Sequence, residues 1–242
     1  MIDSIIVFVQ KYDELIDRID FDWEFISNDG KNYGYDGNIV HPDDPKNFAA
    51  LIESLRKQLD NKGFEHVELT AAVSGVPDYI RMLPVPAMVK YLDAINIMTY
   101  DYMSSEFGLT LAGHQSNLFS TTYAPKSVKT AVDTFMQMGA PANKLVIGVA
   151  FYSRGFANTA GLGKSSNGVV SDRSTEPGMC DYASLPRDGA VEYWDPDAKA
   201  GYSYDPVKKI LNSYDTVRAV AEKSKFVHEM GLKGVIGTIS EF

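Results

Sequence analysis

The sequence predicts an α/β fold organised around a parallel sheet. Five short apolar strand patterns recur along the 242 residues. Amphipathic helical patterns separate them, which is the mark of repeated βαβ units. A composition of 45% hydrophobic and 23% charged residues suits one sizeable core.

The elements follow in order. Ile5, Ile6, Val9, Tyr12, Leu15 and Ile16 recur at helical spacing and predict an amphipathic helix over residues 2–16. Ile19, Phe21 and Trp23 then interleave with Asp20, Asp22 and Glu24. This period-two alternation predicts a strand running to residue 24. A Gly/Asn/Asp-rich stretch to about residue 41 reads as a long loop. Pro42-Asp43-Asp44-Pro45 offers a cap and a first-turn proline to a helix carrying Phe48, Leu51, Ile52, Leu55 and Leu59, with Gly63 beyond its end. Strands are expected at residues 68–73, 94–100, 145–152 and 232–239. Between them, helices are expected at 85–92, about 125–138 with Gly139 as its stop, and about 215–230 with Gly231 as its stop. Residues 153–213, rich in Gly, Ser, Asp and Tyr, break this rhythm and read as a small elaboration on a βα loop. The division is therefore 1–152, 153–213 and 214–242, with no repeat or linker splitting it further.

Charge and cysteine content narrow the function. A net charge of -9 disfavours nucleic acid and anionic membrane as partners and suits a neutral substrate. The single cysteine, Cys180, permits no internal disulfide. The apolar run at residues 5–9 is too short for a signal peptide or a membrane span.

The acidic segment carries the chemistry. On a strand, Asp20, Asp22 and Glu24 share one face, roughly 7 Å apart at successive Cα positions. If the Phe/Trp face packs under helices, the carboxylates point to the other side of the sheet. Stacked buried carboxylates share protons, which keeps one of them protonated near neutral pH. Two other readings remain open: a solvated acidic edge, and a carboxylate cluster for Mg²⁺.

The segment Asp17-Arg18-Ile19-Asp20-Phe21-Asp22-Trp23-Glu24 resembles the Asp-Gly-x-Asp-x-Asp-x-Glu signature of glycoside hydrolase family 18, the chitinases. Met98-Thr99-Tyr100-Asp101 is similar to the family's Met-x-Tyr-Asp motif, and Gly113-His114-Gln115 to a loop of many chitinases. Phe151-Tyr152-Ser153-Arg154-Gly155-Phe156 resembles its Tyr-Gly-Arg segment. Asp181-Tyr182 and residues 194–204 resemble its small α+β insertion.

The resemblance implies a (β/α)8 TIM barrel represented by strands four to eight, with the insertion after strand seven. It implies substrate-assisted, retaining hydrolysis of chitin or chito-oligosaccharide. Glu24 would be the acid/base, Asp22 would orient the acetamido group, Asp20 would hold Asp22, and Tyr100 would donate to the acetamido oxygen. Asp101, Met98, Tyr152 and Arg154 would contact the sugars. No metal or organic cofactor is implied, and secretion is. A glycan-binding subunit without activity, and an endo-β-N-acetylglucosaminidase acting on N-glycans, are the alternatives. His114 is expected to be a loop hydrogen-bonder and Trp23 a packing residue. Trp194, Tyr193, Tyr202 and Tyr204 are expected either to form a subdomain core or to stack on sugars.

Three departures accompany the resemblance. Arg18 stands where the family has glycine, which predicts strain at the strand entry. Residues 237–242 hold no tryptophan where the family places one at the end of the last strand. Only one helix precedes the acidic strand, so strands one to three are expected from a missing segment or another chain.

Overall fold

The computed structural model describes residues 1–34, 36–104, 108–170 and 177–238. Its elements run α1 (Ile2–Tyr12) and a 3-10 turn, β1 (Arg18–Asp22), α2 (Asp44–Asn61), β2 (Glu68–Ser74), α3 (Pro77–Ile80), α4 (Val85–Tyr91) and β3 (Ala94–Met98). Then follow α5 (Val128–Gln137), β4 (Leu145–Ala150), β5 (Tyr152–Phe156), β6 (Met179–Asp181), β7 (Val191–Asp195), β8 (Ala200–Asp205), β9 (Ile210–Tyr214), α6 (Val217–Met230) and β10 (Gly234–Thr238).

Two five-stranded sheets result. The first is wholly parallel, in the order β1-β2-β3-β4-β10. The second is antiparallel, in the order β6-β5-β9-β8-β7. Among the described residues the parallel sheet is an open arc with β1 and β10 at its edges.

Alternation in the parallel strands sorts the two faces. Leu69, Ala71, Val73, Ile95, Ile97, Leu145 and Ile147 are buried in the main core against Phe48, Ile52, Leu55 and Leu59 of α2 and Val132 and Phe135 of α5. These helix residues recur at three- and four-residue spacing, so each helix presents one apolar stripe. Phe21 and Trp23 complete that layer, each meeting the Phe48 ring edge-on at 5.8 and 6.1 Å. Trp23 is thus a packing residue. The opposite face is polar or small, with Asp20, Asp22, Thr70, Ser74, Asn96 and Gly148, and it is the face on which a site can form.

Local signals account for the helix ends. Ser127 caps α5 by accepting from Thr130 N at 3.1 Å, and Thr130 Oγ1 accepts from Ser127 N in return. Thr216 caps α6, and Gly231 ends it in the left-handed region at φ +64. Arg18 introduces no left-handed backbone; its guanidinium pairs with Glu68 across β1 and β2 at 2.9 and 3.2 Å. The expected strain at the strand entry is absent.

Several expectations are corrected. The strand expected through residue 24 ends at Asp22, so Glu24 lies just past it. Asp20 and Asp22 are exposed and Glu24 is half-buried, because β1 is an edge and nothing described covers its carboxylate face. The strand expected over 94–100 ends at Met98, and Tyr100 stands beyond it. The strand expected over 145–152 divides at Phe151, whose N–H donates to Thr238 O of the parallel sheet while its carbonyl accepts from Tyr182 N beside the antiparallel one. The elaboration expected as α+β is formed, in its described part, from strands and short 3-10 turns. Ile239 and the rest of 239–242, where the missing tryptophan was noted, lie outside the described residues.

Candidate active site

Because the strands are parallel, Asp22, Ser74, Met98, Ala150 and Thr238 all mark the same, carboxy-terminal end of the sheet. The first group of candidates is there. Asp20 is held from two neighbouring strands through one oxygen, Oδ1, which accepts from Thr70 Oγ1 and, at 3.1 Å, from Asn96 Nδ2. Both partners are buried, so their only economical arrangement is a hydrogen-bonded one. Asp20 is thereby fixed in rotamer while its side chain stays open to solvent.

Glu24 is positioned by the loop that follows it. Its carbonyl accepts from Asn38 Nδ2 at 2.9 Å. A Cβ on Gly34 would lie 2.3 Å from that carbonyl oxygen, so only glycine permits the loop to come this close. Asp29 braces the same loop, accepting from Ser27 Oγ at 2.7 Å, Tyr33 Oη at 2.7 Å and Lys31 N at 3.0 Å. Asp22, Glu24, Phe25, Asn32 and Asn38 line an open groove of about 480 Å³ along the β1 edge.

The second group comes from the end of β3. Tyr100 meets Tyr152 edge-on at 6.1 Å. Burial pushes the Tyr100 hydroxyl well above its ordinary range. Asp101, Glu24 and Asp22 push it further the same way through their charges, while a hydrogen bond with Thr238 opposes the shift. Tyr100 is therefore a neutral donor at any ordinary pH, within the field of the β1 carboxylates. Asp101, at φ +58, turns its carboxylate to Arg154 in a two-point contact: Nε to Oδ1 at 2.7 Å and Nη2 to Oδ2 at 2.9 Å. The Arg154 guanidinium also lies 5.4 Å from the centre of the Tyr152 ring. Burial likewise raises the Tyr152 hydroxyl.

All eight residues singled out from the sequence thus have a place. Tyr100, Asp101, Tyr152 and Arg154 form one contiguous group, and Asp20, Asp22 and Glu24 lie along and just past β1. Met98 is half-buried, on the same strand face as Asn96. Among the described residues, no three His, Cys, Asp or Glu side chains are grouped so that they could hold a metal ion.

Sequence reasoning gave no role to Thr70, Asn96, Gly148 or Thr238. A signal existed for two of them: Thr70 and Asn96 are polar interruptions in otherwise apolar parallel strands, where a buried polar group needs a partner. Gly148 acts by absence of a side chain, since a Cβ there would come 2.5 Å from Tyr100 Cε1. Gly148→Ala is expected to cost about 1–3 kcal/mol in urea unfolding. Most of that penalty should disappear in a Tyr100→Ala background; an undiminished penalty there would separate Gly148 from Tyr100.

The loop after β3 docks on the second sheet. His114 is buried, with Nε2 3.1 Å from Asp195 Oδ2, which also accepts from Tyr123 Oη. The His114 contact is the main cause holding the Asp195 carboxyl below the usual carboxylate range. His114 is a structural hydrogen-bonder, as expected. Of the aromatic residues, Tyr202 and Tyr204 pack on a small core around Phe156 and Leu211, and the Arg218 guanidinium covers Trp194 at 4.2 Å. Tyr193 stacks on Tyr202 at 5.4 Å with its outer side exposed.

Parallel α/β enzymes place their functional groups at the carboxy-terminal ends of strands, and the groups assembled here follow that rule. The family model for glycosyl hydrolases family 18 matches residues 1–236, and the chain belongs to that family. Chitinase 1 of Aphanocladium album is 35% identical over 221 residues, covering 85% of this chain and 52% of that protein. Endochitinase 1 of Metarhizium robertsii is 32% identical over 228 residues, covering 90% of this chain and 50% of that protein. The chain spans about half the length of these curated relatives. Among solved structures, a family 18 N-acetylglucosaminidase from Paenibacillus barengoltzii superposes with a TM-score of 0.84 at 32% identity, over 98% of this chain and 69% of that one. A cell-surface-expressed chitinase from a Paenibacillus species gives 0.84 at 30% identity, over 98% of this chain and 27% of that one.

Proposed function

We propose that this chain carries the catalytic face of a chitinase that hydrolyses β-1,4 links between N-acetylglucosamine units with retention. The observation that carries the reading is convergence at one end of one parallel sheet: Asp20 and Asp22 from β1, Glu24 from just past it, and Tyr100 and Asp101 from just beyond β3.

In this mechanism Glu24 gives its proton to the glycosidic oxygen as the bond from that oxygen to the anomeric carbon breaks. The substrate's own acetamido oxygen bonds the anomeric carbon from the other face, forming an oxazolinium ion. Asp22 accepts from the acetamido N–H, and Asp20, held by Thr70 and Asn96, fixes Asp22. Tyr100 donates to the acetamido oxygen and aims it, a positioning contribution. Glu24, now a carboxylate, takes a proton from water as that water opens the ion and leaves the anomeric carbon with its starting configuration. Asp101, Met98, Tyr152 and Arg154 line the neighbouring sugar positions.

The same reading assigns β1, β2, β3, β4 and β10 to strands four to eight of a (β/α)8 barrel, with 153–213 as an insertion after strand seven. Another segment or chain would then supply strands one to three between the free edges of β1 and β10. Exposed apolar side chains on α1, Val7 and Phe8, suit such a neighbour. Secretion belongs to this reading, since chitin is an extracellular polymer; among the described residues no helix is long and apolar enough to cross a membrane.

Product stereochemistry tests the mechanism. Proton NMR of chitotetraose digestion, with the chain alone and with a segment supplying strands one to three, should show the β-anomer of the new reducing end first. Initial release of the α-anomer would rule out acetamido participation. Binding of chitotetraose with no cleavage by either preparation would favour the glycan-binding alternative. Cleavage restricted to the core of N-glycans would favour the endo-β-N-acetylglucosaminidase alternative.

A further inference from the structure

Gln115 lies in the loop after β3 and is fully buried. Its Nε2 donates to Tyr152 O at 2.8 Å and to Ser213 O at 3.2 Å. Its backbone N–H donates to Ser213 Oγ at 3.0 Å, and its backbone carbonyl accepts from Tyr102 N at 2.9 Å. Tyr152 begins β5, and Ser213 of β9 is the register partner of Arg154. One amide therefore joins the loop after β3 to β5, which presents Tyr152 and Arg154, and to its neighbour β9. The Asp101–Arg154 ion pair is a second tie between the same parts.

These contacts close a ring. Asp101 is bonded to Tyr102, Tyr102 to Gln115 by its N–H, Gln115 to Tyr152, and Arg154, two residues on, returns to Asp101. Such a ring holds its members more firmly than separate hydrogen bonds, because one contact cannot shift without moving the next. The chemistry requires an amide in particular. Two carbonyl oxygens face Nε2, so two N–H donors are needed, and a carboxylate has none. His114, next in the chain and pinned to Asp195, holds the loop from its other side.

We infer that Gln115 is a positioning residue that sets the Asp101–Arg154 clamp and the Tyr152 ring against Tyr100, and so determines how firmly the sugar beside the scissile bond is held. The consequence for sugar rests on the function proposed above; the consequence for the clamp does not.

The test reads the clamp directly. The nitrogen-labelled chain is followed by NMR at the Arg154 Nε–H, identified by its loss in Arg154→Lys, and its exchange with water is measured. In Gln115→Glu the introduced carboxyl can donate one hydrogen bond when protonated and none when ionised. Taken as a ratio to the parent chain at the same pH, which cancels the base-catalysed rise common to both, exchange at Arg154 should be close to one near pH 5 and about tenfold near pH 8. A variant that merely lost global stability would show no such step at this one group. Gln115→Asn keeps both donors but is a methylene too short, so it should raise exchange equally at both pH values. Wild-type exchange in both variants would overturn the inference. Chitotetraose binding, measured in parallel, should weaken by a similar factor along the same pH step. A pH step in exchange together with a wild-type chain that neither binds nor cleaves chitotetraose would support the positioning role and remove the proposed function.

Discussion

Glu24→Gln is expected to abolish release of the fluorophore from a fluorogenic chito-oligosaccharide in the assembled protein while binding stays measurable. The substitution exchanges a carboxyl for an amide of the same shape, so the backbone contacts of Glu24 with Asn38 and Gly34 are retained. What it removes is the proton delivered to the leaving oxygen, a contribution of roughly 10²–10⁴-fold to rate. Asp22, Tyr100 and the Asp101–Arg154 pair remain to hold the sugar. The expected signature is a fall in kcat with little change in the dissociation constant for chitotetraose. Turnover at the parent rate would sink the assignment of Glu24.

That prediction depends on a site whose pattern was largely legible in the sequence. The parallel arc could be read because its strands lie buried on one face beneath amphipathic helices, and both periodicities survive in the residues. Asp20 and Asp22 share a face because β1 alternates, and alternation is a local property. The misreadings arose where a local pattern continued past the structure it usually accompanies. Trp23-Glu24 extends the period of β1, yet the ladder to β2 stops at Asp22, so Glu24 owes its position to the loop that folds back on it. Residues 145–152 form one nearly unbroken apolar and aromatic run, and nothing in it marks Phe151 as the point where the chain leaves a parallel sheet and enters an antiparallel one. The expected burial of Asp20 and Asp22 was an inference about their surroundings, and with β1 at an edge those surroundings are open. Gln115 and Gly148 act through residues distant in sequence, so neither could be found from its own neighbours.

The largest stability effect is expected at a group outside the candidate site. Lys223 of α6 is fully buried, and its Nζ lies 2.7 Å from Asp215 Oδ2, itself buried just before the Thr216 cap. The same Asp215 oxygen accepts from Ala150 N at 2.9 Å. Asp215 therefore joins the start of α6 to the end of β4, one residue before the pivot at Phe151. Burial is the main influence on Lys223 and lowers its pKa, while the charge of Asp215 and their hydrogen bond act in the opposite sense. Lys223→Met leaves the Asp215 carboxylate in the interior with only an amide N–H as partner. Stranding a buried charge in this way costs about 3–5 kcal/mol, a large share of the roughly 5–15 kcal/mol that keeps a domain folded. The urea midpoint should fall accordingly, with an unchanged slope. Lys223→Met combined with Asp215→Asn should recover much of the loss, because an asparagine carbonyl can still accept from Ala150 N and no charge remains to be desolvated. A double variant as unstable as Lys223→Met alone would show that the cost comes from lost packing around the lysine stem and not from an unpaired carboxylate.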